Sequence, residues 1–309
     1  MPQLIEPATD EQIELGDLVE ELEAGSFDPD DEESFIEYAP MLKKLANNRR
    51  FLGDLVVEEL KQRCTGQLKS NQYTAQVVLL HGSRKFLLRA NFWPSAQDSV
   101  VVNSGADSFF YGVPHDHNFT FLTVGYLGPG YWSDYYEYDY EDAAGFIGEK
   151  VDLRFVERSR LSEGKVLLYR KHRDVHMQLP PDELSMSLNI VALSQRSEFL
   201  DQYRFDLDRS EITGIVNPSA LEALVQLCSH FGGENGRELV SNFAERHPSD
   251  RIRFAAVKAQ AAAAGAVDQR LAVYERAASF PNLYVSAMAR HEAERIEKCR
   301  GWLEAAPSA

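Results

Sequence analysis

The chain has 309 residues and a mass of 34.9 kDa, enough for two domains or for one large domain with helical extensions. Its 44% hydrophobic and 26% charged residues are ordinary for a globular protein, which excludes a disordered chain, a collagen-like chain and a disulfide scaffold. The net charge of −16 disfavours nucleic acid and anionic membranes as partners, because Lys43-Lys44, Arg49-Arg50 and Arg170-Lys171-His172-Arg173 are too short to form a basic stripe.

Residues 1–70 read as a helical region. Ile13, Leu15, Leu18, Val19 and Leu22 recur at helical spacing in an acidic segment. The run from Gly25 to Asp31, with Pro29 inside it, breaks that helix. Leu42, Leu45, Leu52, Leu55, Val56 and Leu60 then predict one or two more amphipathic helices, with a stop near Gly66.

Residues 71–212 have a different texture. Tyr73 to Leu80 and Lys85 to Phe92 are β-favouring runs separated by Gly82-Ser83, which predicts a hairpin. Further short runs follow at Phe119 to Val124, Tyr135 to Tyr140, Val151 to Val156, Lys165 to Tyr169 and Ser185 to Leu193. Many short strands parted by Gly, Pro, Asn and Asp predict an antiparallel sandwich or barrel. Within this zone, Gly125 to Trp132 reads as a tight turn carrying large aromatics. It is either part of a hairpin with one packed aromatic face or the wall of a pocket, in which case Tyr126 and Trp132 would bind substrate.

Residues 213–309 return to helix. Breaks at Gly232-Gly233, His247-Pro248, Gly265 and Pro281-Asn282 divide the segment into about five helices. A Pro-Ser-Asp start before an Arg/Ala-rich helix resembles a HEAT-type repeat, and a plain bundle fits as well. These helices are the expected surface for a homo-oligomer or a protein partner. No stretch approaches about 18 consecutive apolar residues, so no membrane helix is expected. The acidic start lacks a signal pattern, and Cys64, Cys228 and Cys299 are odd in number and far apart, so a reducing cytoplasm is the expected location.

Of the eight histidines, four stand at suggestive places in the β zone: His115, His117, His172 and His176. On a strand, residues two apart share a face, so His115-Asp116-His117 would aim two imidazoles at one point. A third ligand must come from elsewhere, from His176 or from its competitor His172. Three neutral imidazoles suit Fe(II), Zn or Cu, and Ni or Mn less well, and leave positions open for oxygen and substrate.

The segment Pro114-His115-Asp116-His117, followed by Gly164-x-Val166-x-x-Tyr169, by His176 and by Ser187-Leu188-Asn189, resembles a cupin. It is most similar to the thiol (cysteine) dioxygenase branch, whose iron is held by three histidines. The resemblance covers roughly residues 75–200. It implies a cupin-type antiparallel β-barrel, or jelly roll, in that stretch; together with the N-terminal and C-terminal helical regions read from the residue spacing, the expected class is α+β. It further implies Fe(II), or another divalent metal, on His115, His117 and His176 as catalytic metal ligands, with O2 and a small molecule as the partners. Four-ligand cupins carry a Glu three or four residues after the second histidine, where this chain has Thr120 and Phe121. Arg89 stands where the dioxygenases place the arginine that grips the substrate carboxylate, a task suited to a guanidinium.

The chain departs from that branch elsewhere. Asn189 and Val191 stand where its His and Tyr are expected, and Leu122 stands nearest to the crosslinking cysteine of some members. The expectation is a non-haem iron oxygenase acting on a carboxylate-bearing amino acid or thiol. A metal used as Lewis acid by an isomerase or hydrolase is the alternative enzyme, and a non-catalytic scaffold or sensor is the alternative class.

Overall fold

Strand alternation builds a sheet that is buried on both faces. The computed structural model describes every residue except 72, 74, 75, 195, 196, 218 and 306–309. A short strand, β1 (Gln3–Ile5), precedes four helices, α1 (Leu15–Ala24), α2 (Glu32–Asn47), α3 (Phe51–Lys61) and α4 (Thr65–Ser70). The hairpin β2 (Val77–Gly82) and β3 (Phe86–Trp93) is followed by the short helix α5 (Ser99–Ser104). Then come β4 (Phe121–Leu127), β5 (Trp132–Glu137), β6 (Arg154–Arg160), β7 (Val166–Tyr169), β8 (Asp174–Leu179) and β9 (Ser185–Ala192), and finally β10 (Tyr203–Asp206) and β11 (Glu211–Ile215).

The strands form an antiparallel six-stranded sheet of order β1-β7-β4-β9-β3-β2, a three-stranded sheet β6-β5-β8 and a ribbon β10-β11. All eight residues of β9 are buried. Its Met186, Leu188, Ile190 and Ala192 join Phe86, Leu88 and Ala90 of β3 in a core shared with α1, α2 and α3, through Leu18, Leu22, Phe35, Ala39, Leu42, Leu45 and Leu52. The alternate residues of the same strands face the three-stranded sheet. There Leu87, Trp93, Phe121, Tyr169 and Val191 pack with Tyr131 and Tyr135. The space between the two sheets is the lumen, and it contains the histidines.

Helix α2 illustrates the local logic. Asp31 caps it by accepting a hydrogen bond from the Glu33 N–H at 3.2 Å. Phe35, Ala39, Leu42, Leu45 and Ala46 fall on one face, which lies on the sheet. The turn from β4 to β5 depends on glycine. Gly130 has φ +87°, and a Cβ there would collide with the Leu161 carbonyl oxygen.

The chain divides into two compact units. One comprises Met1–Tyr140 and Lys150–Val216 and holds all the strands. The other comprises Glu141–Glu149 and Asn217–Ala309. It contains α6 (Ala220–Phe231), α7 (Gly233–Arg246), α8 (Asp250–Ala263), α9 (Val267–Ala278) and α10 (Leu283–Ala305). The alanine-rich α8 lies against α6, α7, α9 and α10. Its Phe254, Ala256 and Val257 share a core with Val225, Val240, Tyr274, Val285 and Met288. Ser219 and Ser249 cap α6 and α8 by accepting hydrogen bonds from the N–H groups of Leu221 and Ile252.

The architecture is α+β with facing antiparallel sheets, as the strand pattern predicts. Several details differ. Gly66 lies inside α4 instead of ending a helix. The strand expected at Tyr135–Tyr140 is centred earlier, at Trp132–Glu137, and that expected at Val151–Val156 is displaced to Arg154–Arg160. Four strands were not marked by composition: β1, β8, β10 and β11. Each is short or interrupted by charge, and is held by its partner's backbone. Thr74 and Ala75 of the first expected run lie outside the described residues. Among the described residues no helix is long and apolar enough to cross a membrane, and the three cysteines are unpaired.

Candidate metal centre

His115 and His176 are joined through their backbones. The His115 N–H donates to the His176 carbonyl at 3.0 Å, and the His176 N–H donates back to the His115 carbonyl at 2.9 Å. This isolated antiparallel pair, outside any named strand on the His115 side, sets their rings 4.6 Å apart. His176 lies in β8 opposite Tyr135 of β5. His117 follows in irregular chain and is fixed by its carbonyl, which accepts from the His172 N–H at 2.8 Å. The two residues of His-x-His therefore do not lie on one continuous strand. Tertiary pairing, not strand parity, brings them together.

The three Nε2 atoms converge. Those of His117 and His176 are 3.1 Å apart, and those of His176 and His115 are 3.2 Å apart. All three ligand atoms lie within 4.8 Å of one another, and the residues are 3%, 8% and 1% exposed in chain order. Burial pushes the His117 and His176 imidazoles far below their ordinary value, and the neighbouring imidazoles add to the effect. His115 is also pushed down by burial, opposed by its bond to the Val113 carbonyl.

All three rings are thus neutral near pH 7. The Nδ1–H of His115 donates to the Val113 carbonyl at 2.8 Å, which leaves its Nε2 a bare lone pair. Neutral nitrogens this close, buried together, suit a shared cation about 2 Å from each. The donor set therefore fits a divalent metal.

The surroundings hold the ligands in place. Asp116, fully buried between the two histidines, accepts from the Tyr138 hydroxyl at 2.7 Å and from the Tyr203 N–H at 2.5 Å. The Gln202 amide lies 3.4 Å from His117 Nδ1. His172 is not one of the converging group. It occupies a left-handed turn at φ +58°, stacks on Tyr140 at 3.7 Å and places Nδ1 3.5 Å from Asp116. Nearby carboxylates are engaged with arginines. Asp134 is held by Arg158, and Asp174 and Glu137 by Arg170. Phe121 packs its ring 4.9 Å from that of His117, which leaves no carboxylate at that position.

Arg89 lies on the inner face of β3, at the same parity as Leu87 and Trp93. Its guanidinium stands 5.1 Å over the Tyr73 ring, its Nε is buried without a hydrogen-bond partner, and its charge helps to depress His117. Burial lowers the Arg89 pKa, and the hydroxyls of Tyr73 and Tyr131 oppose that shift. Arg89 and the three histidines therefore share one lumen.

Tyr126 and Trp132 do not share it, which corrects their expected place in a substrate pocket. Tyr126 falls at the outward parity of β4, packs on Phe51 and donates its hydroxyl to the Asn48 carbonyl at 3.1 Å. Trp132 falls at the outward parity of β5, with the Arg160 guanidinium 5.0 Å from its ring. The aromatic wall is instead built by neighbours one residue out of phase. The Tyr131 ring lies tilted against that of Trp93 at 4.0 Å, and the Tyr135 hydroxyl meets that of Tyr169 at 2.9 Å. Burial pushes Tyr135 up to about 12, so its hydroxyl keeps its proton at neutral pH. Period-two alternation from Tyr135 back through Ser133 to Tyr131 was the signal that could have found them.

Neither a protein-family model nor a curated protein sequence matches the chain. Solved structures that it resembles include cupin domains. One is a cupin domain from Bordetella pertussis Tohama I, 13% identical, covering 40% of this chain and 98% of that one with a TM-score of 0.24. Another is the DMSP lyase DddQ from Ruegeria pomeroyi DSS-3, 12% identical, covering 40% of this chain and 52% of that one with a TM-score of 0.23. A third is an uncharacterized conserved protein with a double-stranded β-helix domain from Klebsiella pneumoniae, 8% identical, covering 41% of this chain and 82% of that one with a TM-score of 0.23. At these identities and scores the likenesses decide nothing about what this chain acts on.

Proposed function

We propose that the protein is a cupin-type oxygenase of the three-histidine, thiol dioxygenase-like kind. His115, His117 and His176 hold Fe(II), and a small carboxylate-bearing amino acid or thiol is oxidised by O2. The observation that carries the reading is the convergence of three neutral, buried imidazole nitrogens in the lumen that also receives the Arg89 guanidinium. The iron, when bound, supplies the redox chemistry and the open positions for oxygen and substrate.

The chain's own groups do the remaining work. Arg89 receives the substrate carboxylate and so fixes which carbon or sulfur faces the histidines. Phe121, Tyr169 and Val191 line the lumen beside the centre and keep water out. The hydroxyls of Tyr135 and Tyr169 remain protonated, and because one donates to the other at 2.9 Å, only the second proton is left to donate to bound substrate.

A second reading rests on the same donor set. Three neutral histidines are also an established zinc set, so the metal would then act as a Lewis acid in an isomerisation or hydrolysis. The deciding experiment is metal analysis of the purified protein together with oxygen uptake in the presence of Fe(II) and candidate thiols or amino acids. Iron-dependent oxygen consumption is the expected result. Turnover with zinc and without oxygen would replace the first reading by the second. Failure to bind any metal, with His115→Ala behaving as wild type, would leave a non-catalytic scaffold.

A further inference from the structure

Opposed residues of neighbouring antiparallel strands share a face, so the lumen side of the six-stranded sheet is laid out in rows. The row beside the histidines is Leu87–Val191–Phe121–Tyr169, apolar and aromatic. The next is Arg89–Asn189–Thr123–Leu167. Beyond it lie Asn91 and Ser187, the latter accepting a hydrogen bond from Trp93 Nε1 at 3.0 Å. On the facing sheet, Gln178 lies two residues along β8 from His176 and so at the same parity.

The second row is chemically unlike its neighbours. Arg89 Nε, Asn189 Nδ2 and Thr123 Oγ1 are all buried without a hydrogen-bond partner, as are Gln178 Oε1 and Asn91 Oδ1 nearby. Thr123 is 0% exposed, Asn189 4%, Gln178 6% and Asn91 8%. Leaving such a group buried and unsatisfied is costly, so five of them at the lumen-facing parity are not a stable core by themselves. They are the complement of something polar.

Building on the proposed function, we propose that Arg89, Asn189 and Thr123 form a single carboxylate-binding row, and that Gln178 and Asn91 take a second polar group of the same ligand. The substrate class is therefore a short α-amino or α-hydroxy acid, and acids with a purely apolar chain are rejected. The row is separated from the histidine side by one two-residue strand repeat, roughly 7 Å, which limits the ligand to a skeleton of about three to five carbons. An apolar acid would satisfy Arg89 but leave the amides and the hydroxyl buried and unpaired, which is the stronger source of discrimination.

The test is calorimetric titration of the full-length protein, as purified and again after chelation, with L-lactate, L-alanine and L-serine against butyrate. The polar acids are expected to bind at least about tenfold tighter than butyrate in both preparations. Thr123→Val and Asn189→Leu are each expected to weaken the polar acids by about tenfold or more, with metal content unchanged, whereas Thr123→Ser keeps the hydroxyl and binds as wild type. Butyrate binding equal to lactate, no binding of any acid, or a Thr123→Val protein binding like Thr123→Ser would overturn the assignment and leave these groups hydrated only. The two readings separate cleanly. Metal uptake without polar preference refutes the row alone, and polar preference without metal uptake at the histidines refutes the oxygenase alone.

Discussion

The Nε2 of His117 lies 3.1 Å from that of His176, in a site where both rings are neutral. Replacing His117 by Ala removes one of three ligands, so metal content should fall by at least about tenfold on dialysis against a fixed free-metal concentration. Unchanged occupancy would mean that the metal binds elsewhere. Arg89→Ala should raise KM while leaving metal content intact; an unchanged KM would remove its carboxylate role.

Acidity should act through the same imidazoles. Their folded-state pKa values lie below the ordinary 6.5. In the metal-free protein the unfolded chain then takes up protons first as pH falls below about 6.5, while the folded chain does not. Stability is therefore full above that value and declines below it. The urea midpoint of chelated protein should drop between about pH 7 and pH 5, and the drop should be smaller in His117→Gln. Metal binding should weaken over the same range, because protons compete for the same nitrogens.

At the scale of elements, the turn between β4 and β5 sets the phase of the aromatic wall. Gly130→Ala would drive a methyl into the Leu161 carbonyl oxygen at φ +87°. It should destabilise the protein by more than about 1 kcal/mol, read as a lower urea midpoint. Gly53 is the control. It lies within α3 with nothing within 4 Å of a Cβ, so Gly53→Ala should be neutral or stabilise by up to about 1 kcal/mol. The same phase explains which aromatics were misjudged. Tyr126 and Trp132 are as large as Tyr131 and Tyr135, and composition does not say which parity faces inward.

At the scale of the whole molecule, the two units have separate hydrophobic cores, and the three-histidine group that could hold a metal belongs to the first. The acidic and basic side chains balance over residues 217–309, so the net charge of −16 resides in the first 216 residues. A bound metal stabilises only the unit that holds it. Calorimetric scans with metal at about 100 times Kd should raise that unit's unfolding free energy by about 2.7 kcal/mol relative to chelated protein, and leave the melting of the helical unit where it was. A uniform shift of all transitions would show that the units unfold together.

The strand-rich middle, the helical ends and the pairing of His115 with His117 were legible in the residues themselves, whereas His176 was preferred to His172 only through the likeness to the cupin motif. Periodicity, turn chemistry and His-x-His are local signals carried by neighbours in the chain. Other features were decided by tertiary pairing alone. The His115–His176 backbone pair, the exclusion of His172, the inward parity of Tyr131 and the row Arg89–Asn189–Thr123 all join residues far apart in sequence. Their placement follows from register, and a shift of one residue would turn every one of these side chains to the opposite face.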